Sequence, residues 1–305
     1  MKKTTIFSPA KINLFLAITG RRPDGFHDLV SVVAPISFGD RIGIEFLDTE
    51  GAFEMTCTDA SVPVDGSNLI LKAAEAFRAA SGWRGMSRFH LDKMTPVGAG
   101  LGGGSSNAAW VLRALNDEAG AAGHSSDEAR LAELAAAVGS DCALFLAGAP
   151  VVMRGRGERV ERLPAGAVRR LSGRRLLIFK PNVSVSTAWA YRQLAAHAPG
   201  SYLPAADAEA RLAAWIDGAA GAEDLLFNNM EPPAFKKYVA LPVLLQQLRE
   251  QFGVAAAMSG SGSACFALLR QGTGGAADAE VVRGMEALIR DAWGRDAFVT
   301  EAGIL

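Results

Sequence analysis

The spacing of apolar positions changes several times along this chain, and each change marks an element. Residues 4–18 open as a strand. Successive strand side chains point to opposite faces, so Ile12, Leu14 and Leu16 share one face while Lys11, Asn13 and Phe15 share the other. Strands are also predicted at 29–36, 40–47 and 52–56. In the second, Ile42, Ile44 and Phe46 alternate with Arg41, Gly43 and Glu45, as in a half-buried strand. A helix over 68–80 follows the turn Asp65-Gly66-Ser67. Residues 87–93 return to strand spacing, Phe89 and Leu91 against Arg88, His90 and Asp92. Helical spacing then takes over, with Ala108, Val111, Leu112, Leu115 and Ala119 on one face, and a further helix over 127–138 stops at Gly139.

The second half repeats the mixture. A hairpin is predicted over 151–163, a lobe boundary in the Gly-, Ala- and Arg-rich stretch 164–174, and a strand at 175–180 that leads into a helix with Trp189, Tyr191 and Arg192. The alanine-rich 205–221 is read as a helix or a loop. A helix over 241–252, a strand-loop-strand through Ser259-Gly260-Ser261-Gly262-Ser263, a helix over 276–292 and a strand at 297–300 close the chain. Strands and helices in both halves predict an α+β protein of two lobes, 1–164 and 165–305, with its site in the cleft between them.

Composition narrows the functional classes. With 305 residues, 50% of them apolar and 21% charged, the chain can bury a large core, and a net charge of −1 argues against non-specific nucleic-acid binding. Cys57, Cys142 and Cys265 are scattered, odd in number and without metal-ligand spacing. They read as reduced core thiols and point to a cytoplasmic protein. Lys11 and Asn13 interrupt the N-terminal apolar stretch, and no apolar run approaches the roughly eighteen residues a membrane helix needs.

The candidate chemistry begins between residues 93 and 108. Pro96-Val97-Gly98-Ala99-Gly100-Leu101-Gly102-Gly103-Gly104-Ser105-Ser106-Asn107 runs straight into the amphipathic helix. Glycines let backbone N–H groups turn inward on an anion, and a helix N-terminus adds partial positive charge. A Walker A loop is excluded, because Gly104 stands where its lysine would be. A dinucleotide fingerprint through Gly98, Gly100 and Gly103 places Glu118 in a helix instead of at a strand end. A plain surface turn leaves Ser105, Ser106 and the helix start unexplained. Elsewhere, Lys11 on a strand that reads as buried on both faces must find a partner, lose its proton or, on an edge strand, reach back to water, and Asp141 before the apolar Cys142-Ala143-Leu144-Phe145 either caps a short helix or serves that lysine as the base at the transferred phosphoryl group.

The glycine loop resembles the second motif of the GHMP kinases, which wraps ATP phosphates without a Walker lysine. Pro9-Ala10-Lys11-Ile12-Asn13-Leu14, Arg22-Pro23-Asp24-Gly25-Phe26-His27, Gly155-Arg156-Gly157-Glu158 and the loop at Ser259–Ser263 extend the likeness along most of the chain. They resemble in particular the branch whose acceptor is a cytidine diphosphate-linked methylerythritol. The resemblance implies a two-lobed fold, ribosomal protein S5 domain 2-like followed by ferredoxin-like, and an ATP-dependent phosphotransferase of the non-mevalonate isoprenoid route that uses Mg²⁺. It implies Asp141 as general base assisted by Lys11, and ATP binding by Pro96 to Ser106 with Asn68 and Lys93. It also implies substrate contacts from Asn13, Phe26, His27, Thr187, Tyr191, Gly260 and Ser261, with Phe26 and Tyr191 stacking on opposite faces of cytosine. Ser105 or Ser106 would stand near the metal, without a dedicated protein site. The partner is a small molecule, with no nucleic acid or membrane, and the chain is a monomer or homodimer. Phe26 replaces the branch's usual tyrosine, Asn229 an aspartate, and the residues after Asp141 depart from its pattern. The alternatives are another GHMP small-molecule kinase (homoserine or sugar), a non-catalytic nucleotide-binding relative, and a dehydrogenase.

Overall fold

The longest elements are two strands that begin the chain, β1 (Lys2–Arg21) and β2 (His27–Leu47), followed by β3 (Glu54–Cys57), α1 (Leu69–Ser81), β4 (Met86–Asp92) and α2 (Gly103–Gly120). Next come α3 (Glu128–Val138), α4 (Cys142–Leu146), β5 (Val151–Gly155), β6 (Arg159–Arg162), α5 (Ala165–Leu171), β7 (Arg175–Lys180), α6 (Thr187–Ala196) and α7 (Ala205–Asp217). The last are β8 (Phe227–Asn228), α8 (Glu231–Lys237), α9 (Ala240–Phe252), β9 (Ala255–Met258), β10 (Cys265–Leu268), α10 (Ala276–Trp293) and β11 (Phe298–Gly303). The computed structural model describes residues 2–47, 49–270 and 276–305, and for residues 276 and 277 the backbone alone. One sheet runs β3-β4-β2-β1-β8, with β5 on β2 and β6 on β5, and the other runs β11-β7-β10-β9. The α+β expectation holds.

Contacts divide the chain into two units that are not contiguous in sequence. The first holds Met1–Ala10, Phe38–Val97 and Gly102–Gly148; the second holds Lys11–Ser37, Gly98–Leu101 and Ala149–Leu305. The chain therefore changes unit inside β1, inside β2, twice within the glycine loop and once more between Gly148 and Ala149.

In the first unit, α1 starts at Asn68, whose Oδ1 accepts from the N–H of Ile70 at 2.9 Å, and packs Ile70, Ala73, Ala74 and Phe77 inward. α2 buries Ala108, Val111, Leu112, Leu115 and Ala119, the five positions its spacing predicts. The break expected between two strands at residues 37–39 does not occur: Gly39 lies inside β2. A Cβ there would stand 2.1 Å from the Ser8 carbonyl oxygen, so the glycine permits close strand contact. α3 ends at Gly139 with φ −174°, extended backbone that any residue adopts.

In the second unit, the four-stranded antiparallel sheet carries a core of Leu177, Phe179, Cys265 and Ala267. Leu244, Leu248, Met285 and Ile289 of α9 and α10 join it. The stretch 164–174, expected as a boundary, forms α5, with Ala167 and Leu171 buried. The alanine-rich stretch is α7: Ala208, Leu212 and Trp215 are buried on one face, and Glu209 receives Arg154 of β5 through two hydrogen bonds of 2.7 and 2.9 Å. No helix among the described residues is long and apolar enough to cross a membrane.

Candidate functional site

The glycine loop alternates in backbone handedness. Gly98, Gly100 and Gly102 have φ of 63°, 81° and 70°, whereas no non-glycine residue among the described residues has positive φ. Such alternation turns successive N–H groups toward one side and forms an anion-binding nest. Among the described residues, none of the N–H groups from Gly98 to Ser105 donates to another protein group, whereas the loop carbonyls are well used. Lys11 donates its N–H to Leu101 O at 2.9 Å, Ala264 donates to Ala99 O at 3.0 Å, and Ser259 Oγ donates to Gly100 O at 3.2 Å. Carbonyls held from behind leave the donors to face a ligand.

Within the second unit, these bonds bring the middle of β1, residues 98–101 and the 259–264 loop together. Lys11 Nζ donates to Asn13 Oδ1 at 2.6 Å, and Asn13 Nδ2 donates to Ser31 Oγ at 3.0 Å; Lys11 is 5% exposed and Asn13 7%. Gly100 could not be another residue: a Cβ would stand 2.4 Å from the Ser259 carbonyl oxygen. At Gly260 a Cβ would lie 3.4 Å from Asn13 Oδ1 and 3.5 Å from Lys11 Nζ, so this residue, too, lines the lysine's surroundings. Asn228 donates to the carbonyls of Met258 and Gly260 and fixes the loop, and Thr187 Oγ1 shares a 2.8 Å hydrogen bond with Ser261 Oγ. Asn229 bridges Ile18 and Ser201, a role in holding strands.

The aromatic residues of the expected clamp surround His27. Tyr191 packs on His27, with centroids 4.8 Å apart, and Tyr202 stands 5.9 Å from the same imidazole. The ring of Phe26 is 56% exposed and carries the guanidinium of Arg156 at 4.8 Å. His27 Nε2 is buried without a partner, an open hydrogen-bonding position. Burial, aided by the nearby Arg21 charge, lowers the His27 pKa from 6.5. The unfolded chain binds that proton more readily, so stability due to His27 is fully present above pH 6.5 and is lost as the pH falls through the lower folded value. Urea unfolding at pH 7.5 and 5.5 should show a smaller acid loss in His27→Gln than in the wild type.

In the first unit, Ser106 is fully buried and meets Ser8, Oγ to Oγ, at 2.8 Å, which leaves the half-buried Ser105 as the more open hydroxyl. Ser105 is hydrogen-bonded to Cys142. The Cys142 thiol is pushed up to about 12, chiefly by burial, with Ser105 lowering it and the Asp141 charge raising it further, so Cys142 is an inert thiol. Asp141 occupies the N-cap position of α4 yet makes no capping bond, so the capping explanation of its presence fails. Asn68 spends its side chain on the Ile70 N–H and the Pro63 carbonyl, at the start of α1.

Asp40, which the sequence reading passed over, is the centre of this unit's polar network. It is completely buried, and its carboxylate accepts from Lys93 Nζ at 2.8 Å, the N–H groups of Met94 and Thr95 at 2.9 and 2.7 Å, and Asn107 Nδ2 at 3.0 Å. Lys93 also donates to Thr95 O, and its Nζ lies 3.1 Å from where a Cβ on Gly103 would be. The ammonium thus stands beside the first turn of α2. The Gly-Asp pair at 39–40 was the signal, obscured because it reads as a turn. No group of three or more His, Cys, Asp or Glu able to hold a metal occurs among the described residues.

Residues 68–149 match the family model described as GHMP kinases N terminal domain, and residues 212–286 match GHMP kinases C terminal. A relative from Methylacidiphilum infernorum named 4-diphosphocytidyl-2-C-methyl-D-erythritol kinase is 41% identical over 86% of this chain and 85% of its own. A chloroplastic relative of that name from Mentha piperita is 38% identical over 86% of this chain, which spans 63% of that longer protein. The crystal structure of a 4-(cytidine 5'-diphospho)-2C-methyl-D-erythritol kinase superposes with a TM-score of 0.75 at 33% identity, over 98% of this chain and 99% of that one. The chain therefore belongs to the GHMP kinase family, in the group of the 4-diphosphocytidyl-2-C-methyl-D-erythritol kinases.

Proposed function

We propose that this chain is an ATP-dependent kinase that phosphorylates the 2-hydroxyl of 4-diphosphocytidyl-2-C-methyl-D-erythritol, a step toward isoprenoid precursors. The observation that carries the phosphotransferase reading is the nest from Gly98 to Ser105, whose N–H groups have no acceptor among the described residues and adjoin the N-terminus of α2. A polyphosphate satisfies those donors, and the Lys93 ammonium beside Gly103 adds charge. Bound Mg²⁺ would neutralise developing phosphate charge. The half-buried Ser105 is the hydroxyl available to it, and the phosphates themselves would supply other ligands.

Acceptor choice rests on His27. Its open Nε2 offers a hydrogen bond to a base edge, while Phe26 and Tyr191 supply flat surfaces, and a stacked base gains about 1–3 kcal/mol per aromatic contact. Asn13, Thr187, Gly260 and Ser261 would hold the remainder of the substrate. Asp141 takes the proton from the attacking hydroxyl, and Lys11 stabilises the oxygen that loses it. The matched regions 68–149 and 212–286 fall on either side of residue 164, which supports two family lobes in 1–164 and 165–305.

The test is ADP release from Mg-ATP with diphosphocytidyl-methylerythritol, homoserine or mevalonate as acceptor. Turnover confined to the cytidyl substrate, with its KM raised about tenfold by His27→Ala through the lost hydrogen bond, is expected. Turnover of homoserine or mevalonate instead would refute the acceptor assignment.

A further inference from the structure

A cavity of about 580 Å³ lies in the second unit, within the size range of small-molecule sites. Its wall is made by Trp189 of α6, Tyr202, Phe227, Pro233 and the two lysines that end α8, Lys236 and Lys237. None of the residues assigned to ATP or acceptor lines it, and neither does any aspartate or glutamate. Lys237 Nζ stands 4.5 Å from the centre of the Trp189 ring, so one positive charge already rests against the flat apolar wall. Lys236 and Lys237 are exposed and enter no ion pair among the described residues.

We propose that this cavity is a second small-molecule site, separate from the kinase site, that takes an amphipathic anion. A flat apolar body fits against Trp189, Tyr202 and Phe227, and a singly charged head group lies at Lys236 and Lys237. Aromatic walls reward apolar area and ring contact, while a cationic rim without carboxylates selects the sign of the head group. The Tyr202 ring is shared: it lines this cavity and also stands 5.9 Å from the His27 imidazole. An occupant therefore touches a ring that packs against His27 from the other side.

The probe is 1-anilinonaphthalene-8-sulfonate, an aromatic anion whose fluorescence rises on leaving water, titrated into the full-length chain beside the neutral N-phenyl-1-naphthylamine. Saturable binding of the anion is expected, unaffected by Mg-ATP or CTP. Its affinity should fall about fivefold or more in the exposed pair Lys236→Ala/Lys237→Ala and about tenfold in Trp189→Ala, while the neutral probe loses affinity only in the second variant. The His27 ring proton resonance should shift on titration in the wild type and stay in place in Trp189→Ala. Competition by Mg-ATP or CTP, or equal binding by the wild type and both variants, would overturn the assignment. Equal sensitivity of both probes to the lysine pair would overturn the anionic head group, and an unmoved His27 signal would overturn the link through Tyr202. None of these readouts requires kinase turnover, so failure here is distinguishable from failure of the kinase reading.

Discussion

Asp141→Asn is expected to lower kcat by about 10²–10⁴-fold, the usual contribution of a positioned general base, while the KM for Mg-ATP stays within about threefold. The substitution keeps size and shape and removes the negative charge together with the ability to accept a full proton. The Asp141 carboxylate does not cap α4, so no helix-capping bond is lost. Its charge is felt by the neighbouring Cys142, which it pushes upward, so the variant should also ease the Cys142 thiol downward by a small amount from about 12. Steady-state kinetics with both substrates varied, together with urea unfolding, separates the outcomes. A loss of turnover at unchanged unfolding free energy supports the base. A fall of less than tenfold would remove Asp141 from that role, and an equal loss in both measurements would make it structural.

Elements set by local spacing were legible in the chain before its structure. The α2 face of Ala108, Val111, Leu112, Leu115 and Ala119 needs only the helical period, and 175–180 needs only a short apolar run. The glycine loop was also legible, because positive φ at Gly98, Gly100 and Gly102 is a property that the residue type itself permits. What escaped depended on distant partners. Gly39 reads as a strand break until the Ser8 backbone is seen against it, and 164–174 reads as a linker until Ala167 and Leu171 are seen buried. The contacts of the aromatic residues also depend on packing: which ring meets His27 is decided by how α6 packs, and the Phe26 ring has Arg156 over it. Asn68 has a local task that the family position did not reveal, since its side chain starts α1.

Asp40 is the residue whose loss should most disturb the nucleotide side without touching the acceptor residues. Its carboxylate binds one ammonium, two backbone N–H groups and one amide, joining the segment after β4 to Asn107 in the second turn of α2. Asp40→Ala leaves the Lys93 ammonium, 8% exposed at its side chain, without its carboxylate and strands two N–H groups. Breaking one partner of a buried pair costs about 3–5 kcal/mol. Asp40→Asn keeps the volume but turns an NH₂ group toward donors, so it should lose less stability and still loosen the turn that presents the Gly103–Ser105 N–H groups. The expected result is a nucleotide Kd raised about tenfold, corresponding to about 1.4 kcal/mol, with the acceptor KM within about twofold. Pairing the change with Lys93→Met tests the connection directly. If the two side chains act as one unit, the double variant should be no less stable than Asp40→Asn alone, with a coupling of about 1–3 kcal/mol in the cycle. Strictly additive losses, or equal weakening of nucleotide and acceptor, would show that Asp40 merely fills the core of this unit.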